Sequence, residues 1–566
     1  MMFRNVSKFA SKVSQELPLQ SRRIQPVNFY DDTVFREKSL WGLIRALCVL
    51  RVCRIQYLCK NSVAIMKKSE KIVGPFLTYE TIVRATVYSH FCAGTDEREL
   101  KKTVKALEKQ GIGSVLDYAA EADVGGFVPA PGAKEAPDLS MAALVDNTSV
   151  KYMPHGQLYD ENMKLYIMCV MHASLNQPVN GVGLAAVKVT GMCDPQLLAR
   201  VSAILHSVHY GWVKFFAHEN PPPLEECRVV MGTNREHQLH ITREQLIKGF
   251  TEYSPARKYT EQEVEAVVKA LDDKNEGKVN YYRFKKFVSE AVLALEPTSV
   301  QKLIVDKLPK LTEEERELWR ALHKRLSVIV RTARDLRVRV LFDAEQTFYQ
   351  LAIDSIVVQF QREFNENEPI VYNTYQCYLT YTEDRVFNDL TRAMLEGWVW
   401  GGKVVRGAYM DQERETAAKY NYKSPVWPTY EQTSACYQAC AKRILDEFVR
   451  LPNVPFEVLF GTHNKASVQQ ISEAIMKLPS VKGRAVFAQL YGMADHLTIP
   501  LKKAGFRVFK YVPYGPVKET IHYLGRRASE NSAVLDNGGS EEVQLMRKEL
   551  RRRLCWFMKD WKKAKG

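Results

Sequence analysis

Near the carboxyl terminus, "YVPYGPVKETIHYLGRRASEN" (511–531) sets Arg526 beside Arg527, with Glu530 within one helical turn of both. Each guanidinium offers a planar fork of donors that can meet a carboxylate with two bonds, and a nearby acid offsets the cost of holding two cations together. Paired arginines on a helix are ordinarily a solvated face. Here they directly follow a strand-like apolar run that turns at Gly515, with Tyr523 on the same helix, so capture of a small carboxylate is the better reading. Other chemistry-bearing side chains close short apolar runs. Glu121 ends "SVLDYAAE", Lys188 falls in "LAAVKVTGM", Asp343 in "VRVLFDAE" and Gln376 in "IVYNTYQCY". Lys403 and Arg406 fall in "GGKVVRGAY", Thr462, His463 and Asn464 in "FEVLFGTHN", Leu490 in "RAVFAQLYG" and Tyr511 in "FRVFKYVPYG". Asp343 has a plainer use as the cap of the helical pattern "AEQTFYQLAIDSIVVQF". His206 and His209 sit three apart with no third ligand in view, so no metal site is expected.

These eight runs read as buried strands, and most alternate with helical patterns such as 431–450 and 465–478. Parallel strands joined by crossover helices follow. If the strands close into an eight-stranded barrel, the polar residues at their carboxyl ends converge on one face, which explains why each run finishes on such a side chain. A doubly wound open sheet is the alternative, but it normally carries a glycine-rich phosphate loop after its first strand, and none is present. The expected fold is a distorted (βα)8 TIM-like barrel with an N-terminal helical region and an EF-hand-like helical insertion.

With 566 residues, 46% hydrophobic, the chain can build a large core. Its net charge of +15 suits an acidic substrate, a membrane surface or nucleic acid and does not choose among them. The eleven cysteines are scattered without a Cys-x-x-Cys pair, which argues against a disulfide framework or zinc ribbon and for a reducing compartment. Residues 1–29 carry Arg4, Lys8, Lys12, Arg22 and Arg23 against one acid, Glu16, with apolar residues at helical spacing, the pattern of a mitochondrial transit peptide. The apolar stretch Trp41 to Met66 reads as one helix broken by Arg45, Arg51, Arg54 and Lys60, unsuited to crossing a bilayer, so any membrane contact is peripheral. Residues 30–110 read as helical, 111–220 as the first part of the barrel, 221–335 as the insertion, 336–535 as the rest of the barrel and 536–566 as a basic helix or tail. Within the insertion, "LDDKNEGKVNYYRF" has Asp272, Gly277 and Val279 where a calcium loop wants its first, sixth and eighth residues, yet offers Lys274 and Arg283 at the third and twelfth. Two cations replace two oxygen ligands, so no strong calcium site is expected.

"KVVRGAYMDQE", "NTYQCYL", "GTHN" and "KYVPYGPVKETIHYLGRRASEN" together resemble the motifs of the proline dehydrogenase family in its eukaryotic mitochondrial form, and the resemblance spans about Val115 to Asn531. It implies an FAD-holding barrel that oxidises L-proline to pyrroline-5-carboxylate and delivers electrons to ubiquinone at the matrix side of the inner mitochondrial membrane, without nucleic acid as a partner. The oligomeric state is left open. The resemblance implies catalytic roles for Asp343, Lys403 and Tyr511. It implies substrate contacts from Lys188, Tyr409, Leu490, Tyr511, Tyr523, Arg526 and Arg527, with Glu121 pairing with Arg526 when the site closes. FAD contacts fall to Ala344, Gln376, Lys403, Arg406, Gly407, Ala408, Thr462, His463, Asn464 and Glu530. Lys403 departs from the family, which usually has arginine there; a lysine keeps the charge and loses the fork.

Two other functions stay open at this point. A hydroxyproline dehydrogenase shares fold, flavin and arginine pair, but that branch typically has a small serine where this chain has Tyr511, whose bulk disfavours a ring hydroxyl. The more distant alternative is a flavin-free barrel serving as a calcium-responsive adaptor at a membrane.

Overall fold

The computed structural model describes residues 24–564 apart from 56, 59–60, 120–137, 139, 147–151, 153–155, 176–181, 217–239, 254–259, 273–276, 294–296, 306–308 and 537–539. Among the described residues there are ten strands: β1 (Gly113–Tyr118), β2 (Gly183–Val187), β3 (His240–Thr242), β4 (Lys278–Asn280), β5 (Val338–Phe342), β6 (Val371–Gln376), β7 (Gly401–Val405), β8 (Glu457–Gly461), β9 (Ala485–Leu490) and β10 (Val508–Tyr514). Eight of them close a parallel barrel in the order β1-β10-β9-β8-β7-β6-β5-β2. Each expected run supplies one barrel strand. The first ends sooner than its sequence suggests, at Tyr118, and Glu121 lies outside the described residues.

The strands form because both of their faces are covered. Outward residues meet the surrounding helices, and inward ones, among them Val115, Leu184, Leu341, Leu459, Val486 and Phe509, fill the barrel as one apolar cluster. At the amino-terminal end this filling includes a buried ion pair between Arg339 and Glu457, and Tyr372 donates a 2.7 Å hydrogen bond to the same Glu457 carboxylate. Side-chain parity then sends the polar residues further along β1, β5, β7 and β10 into the opposite mouth.

The helices needed below are α1 (Leu40–Cys53), α2 (Ser62–Val73), α3 (Tyr281–Leu293), α4 (Glu313–Asp335), α5 (Thr347–Phe364), α6 (Thr382–Glu396), α7 (Tyr430–Arg450), α8 (Lys465–Lys477), α9 (Ile521–Asp536) and α10 (Ser540–Ala564). The single helix expected from Trp41 to Met66 is instead interrupted: α1 ends at Cys53 and α2 begins at Ser62. α1 buries Leu43, Ala46 and Leu50 against Val543 and Met546 of α10, so the two ends of the chain meet. Its apolar stripe is thereby spent on its own domain. Residues 1–23 of the expected transit peptide lie outside the described residues, whereas 24–29 pack on the barrel: Gln25 N–H donates to Ala504 O at 2.8 Å and Phe29 is buried.

In the insertion, β3 and β4 pair antiparallel, with Ile241 opposite Val279, which is how two EF-hand loops join. Asp272 Oδ2 accepts the Gly277 N–H at 2.8 Å, and Gly277 has φ +71°, which suits a glycine. Arg283, at the twelfth position, donates to the Leu271 carbonyl at 3.3 Å, closing the loop's end onto its own preceding helix. The range expected for the insertion, 221–335, also takes in α4, which packs against Gly156–Leu175 and β5 and so belongs to the barrel's helical layer.

Candidate active site

The mouth at the carboxyl ends of the strands holds a tight polar cluster. Asp343, immediately after β5, accepts a hydrogen bond from the Lys403 ammonium on one oxygen. Its other oxygen accepts one from the Tyr511 hydroxyl at 2.7 Å and lies 3.3 Å from Lys188 Nζ. Lys188, just past β2, also donates to Asp117 Oδ1 at 2.8 Å, and Asp117 is fully buried in β1. The strand pairings Asp117–Ala186, Ala186–Leu341 and Val115–Tyr511 bring these elements side by side. Two carboxylates thus face two ammonium groups in a buried, alternating chain, which is how charges are tolerated away from water.

The electrostatics follow from that arrangement. Burial alone would raise the Asp343 carboxyl, but Lys403 and Lys188 overcome it and hold the group at about 2. Burial, reinforced by Asp117 and Asp343, pushes the Tyr511 phenol well up, so its hydroxyl stays a donor. Lys403 Nζ lies 5.5 Å from the centre of the Tyr511 ring.

A second group lines the ends of β6, β7 and β8. The Arg406 guanidinium is fixed by hydroxyls: it donates to Ser434 at 3.0 and 3.1 Å, to Ser467 at 3.1 Å and to Thr462 at 3.3 Å. Ser434 can accept because its own proton goes to the Tyr430 carbonyl. The guanidinium also lies 4.8 Å from the Tyr430 ring centre. Gly407 next to it has φ +113°, and a Cβ there would fall 1.9 Å from the Tyr378 ring, so only glycine fits. Ala408 is exposed at the mouth. Gln376 Nε2 donates to the Glu345 carbonyl at 2.8 Å, beside buried Ala344. His463 Nε2 accepts the Leu490 N–H at 3.0 Å, and burial, with Lys510 nearby, pushes the imidazole down to about 3. The ring is therefore neutral and carries its proton on Nδ1. Asn464 caps α8 by accepting the Ser467 N–H at 2.8 Å.

The arginine pair lies on α9. Arg527 is buried, with its guanidinium 4.8 Å from the Tyr523 ring centre and bonded to Glu530 at 2.5 Å. Arg526 is half-buried and lies 5.9 Å from the ring centre of Tyr409, which follows β7. The charge of Arg527 is also felt at His463, so α9 reaches both the β7 and the β8 ends. Glu530 is committed to Arg527. The pairing of Glu121 with Arg526 falls outside the described residues.

Some members of the site were not anticipated. Asp117 sits inside an apolar run, and an interior-facing acid in a buried strand was the available signal. Ser434 and Ser467, which orient Arg406, carry no local signal at all. Cys377, Cys436 and Cys440 meet behind this region, all buried, with their sulfurs within 4.8 Å of one another. His209 is a satisfied core histidine, its Nδ1 2.8 Å from the Tyr281 hydroxyl.

A closed parallel barrel whose charged groups gather at the carboxyl ends of its strands is the architecture of a (βα)8-barrel enzyme. A family profile described as proline dehydrogenase matches residues 231–537. The chain is 31% identical over 549 residues to human "Proline dehydrogenase 1, mitochondrial", covering 92% of this chain and 88% of that one. It is 30% identical over 537 residues to Bos taurus "Hydroxyproline dehydrogenase", covering 94% of each. Among solved structures, proline utilization A (PutA) from Bdellovibrio bacteriovorus aligns with a TM-score of 0.48 at 16% identity, over 94% of this chain and 41% of that longer one. The chain belongs to the proline dehydrogenase family.

Proposed function

We propose that this protein oxidises L-proline to pyrroline-5-carboxylate, with FAD as its cofactor and ubiquinone as the electron acceptor, on the matrix side of the inner mitochondrial membrane. The observation that carries the reading is the cluster of Asp343, Lys403, Lys188 and Tyr511 at the barrel mouth of a proline dehydrogenase family member.

In this reading Arg526 and Arg527 bind the substrate carboxylate. The two lysines of the cluster are already balanced by Asp117 and Asp343, so Lys188 orients the anion while the guanidinium forks of the arginine pair supply the charge-assisted bonds. Tyr409, Leu490, Tyr511 and Tyr523 pack against the ring carbons. Arg406 and the backbone of Gly407 and Ala408, with Gln376, Ala344, Thr462, His463, Asn464 and Glu530, hold the cofactor. A guanidinium fixed by three hydroxyl-bearing residues is a suitable partner for a pyrophosphate. FAD, when bound, supplies the acceptor for the hydride that leaves the ring carbon next to nitrogen. Lys403 stands by with a positive charge where negative charge develops. Asp343, held at about 2, is a poor base, so it fixes Lys403 and Tyr511 in position while the ring-nitrogen proton leaves to water.

A peripheral lipid contact is supported by α2 and the segment after it, where Ile72 is 72% and Phe76 74% exposed beside Lys67, Lys68 and Lys71. α2 packs on α9, the helix of the arginine pair. A second reading, oxidation of trans-4-hydroxy-L-proline, draws on the likeness to hydroxyproline dehydrogenase; the bulk of Tyr511 counts against it. The test is anaerobic addition of L-proline to the flavin-loaded protein. The visible flavin band should bleach; a protein that takes up no flavin, or whose flavin stays oxidised, contradicts the proposal.

A further inference from the structure

Away from the mouth, a cavity of about 450 Å³ opens between α3 of the EF-hand-like insertion and the barrel helices α4, α5 and α6. Seven lysine and arginine side chains line it against three carboxylates, and Arg362, Arg316 and Arg320 pair with Glu396, Glu313 and Glu317 around its rim. Two of the acids are already engaged: Asp354 bonds Arg385 at 2.6 Å and Asp389 lies 3.4 Å from Arg392. The third, Glu290, is 4.0 Å from Lys286 at the exposed edge. Lys285 is left over. It makes no ion pair among the described residues, and the ring centre of Tyr281 lies 5.9 Å from its ammonium. Burial, with Arg392 as a like-charged neighbour, pushes this lysine down to about 8. A cation placed in a recess against other cations is costly unless an anion joins them. Leu205, Leu293 and Trp319 add an apolar wall.

We propose that this cavity binds a small polyvalent anion bearing phosphate or carboxylate groups, with Lys285 as its central ligand and the flanking Arg385 and Arg392 supplying the surrounding field. The site is separate from the barrel mouth and does not depend on the reading of that site. It gives the insertion, whose calcium ligands are replaced by cations, a ligand of the opposite sign.

The test is isothermal titration of the flavin-loaded full chain with pyrophosphate and, separately, with citrate at matched ionic strength. Saturable binding of at least one is expected, weakened roughly ten-fold or more by Lys285→Met, kept by Lys285→Arg and unchanged by Lys286→Met. Which of the two binds decides between phosphate and carboxylate recognition. A second measurement needs no variant: a lysine titrating near 8 should be acylated selectively at mildly alkaline pH, and the bound probe should protect Lys285 in a peptide map. Failure of both probes to saturate, wild-type binding by Lys285→Met, or labelling of Lys285 undiminished by the probe overturns the proposal.

Discussion

Tyr511 donates a 2.7 Å hydrogen bond to Asp343, joining the last strand of the barrel to the carboxylate that also gathers Lys188 and Lys403. The bond fixes the tyrosine at the mouth, where, in the proposed function, the edge of its ring meets the substrate ring.

Tyr511→Ser removes that edge and frees Asp343 Oδ2. Efficiency on L-proline should fall while the gap to trans-4-hydroxy-L-proline narrows, by a factor corresponding to about 1–3 kcal/mol of steric discrimination. Steady-state kcat/KM on both substrates measures it. An unchanged ratio would show that Tyr511 is a core residue without a role in specificity.

Asp343 also links the site to acid stability. Its folded value of about 2 lies below the ordinary 3.8, so its contribution is fully present above about pH 4 and is lost as pH falls toward 2. The loss is on the order of 2 kcal/mol. Asp343→Asn should flatten the decline of thermal stability over that window, read by melting curves between pH 5 and 2, and should lower the plateau above it by leaving Lys403 and Lys188 short of a counter-charge. Parallel curves for both proteins would contradict the assignment.

Arg526→Met or Arg527→Met should weaken apparent affinity for proline by roughly 10- to 100-fold, because a charge-assisted bond to a buried anion contributes about 1.5–3 kcal/mol. Flavin content should stay near normal in both. Arg527→Met additionally strands Glu530, so it should melt lower than Arg526→Met. Wild-type affinity in both variants would sink the carboxylate role.

How much of this was legible beforehand depended on whether local pattern or long-range contact carried the information. The eight apolar runs announced their strands, and their period of two aimed Lys188, Asp343, Lys403 and Tyr511 into one mouth. Asp117 escaped because it interrupts an apolar run without ending it, and its partner Lys188 is set by the pairing of β1 with β2. The seats of Arg406 on α7 and α8 depend on how those helices dock, as does the meeting of Cys377 with Cys436 and Cys440. The division of Trp41–Met66 into α1 and α2 was hidden because no proline or glycine marks it.

Gly407→Ala isolates the side of the mouth proposed to hold the cofactor. The residue needs a left-handed φ and its new methyl would overlap the Tyr378 ring, a strain of about 1–3 kcal/mol before any rearrangement. The purified variant should carry substantially less flavin per chain than wild type, measured by absorbance, together with a lower melting temperature. Full flavin loading at an unchanged melting temperature would contradict the account of this turn.

The measurement closest to the central claim is steady-state oxidation of L-proline against trans-4-hydroxy-L-proline by the flavin-loaded protein with a soluble ubiquinone analogue as acceptor. Turnover on both is expected, with the higher kcat/KM on proline. Faster oxidation of hydroxyproline, or turnover of neither by protein carrying stoichiometric flavin, would contradict it.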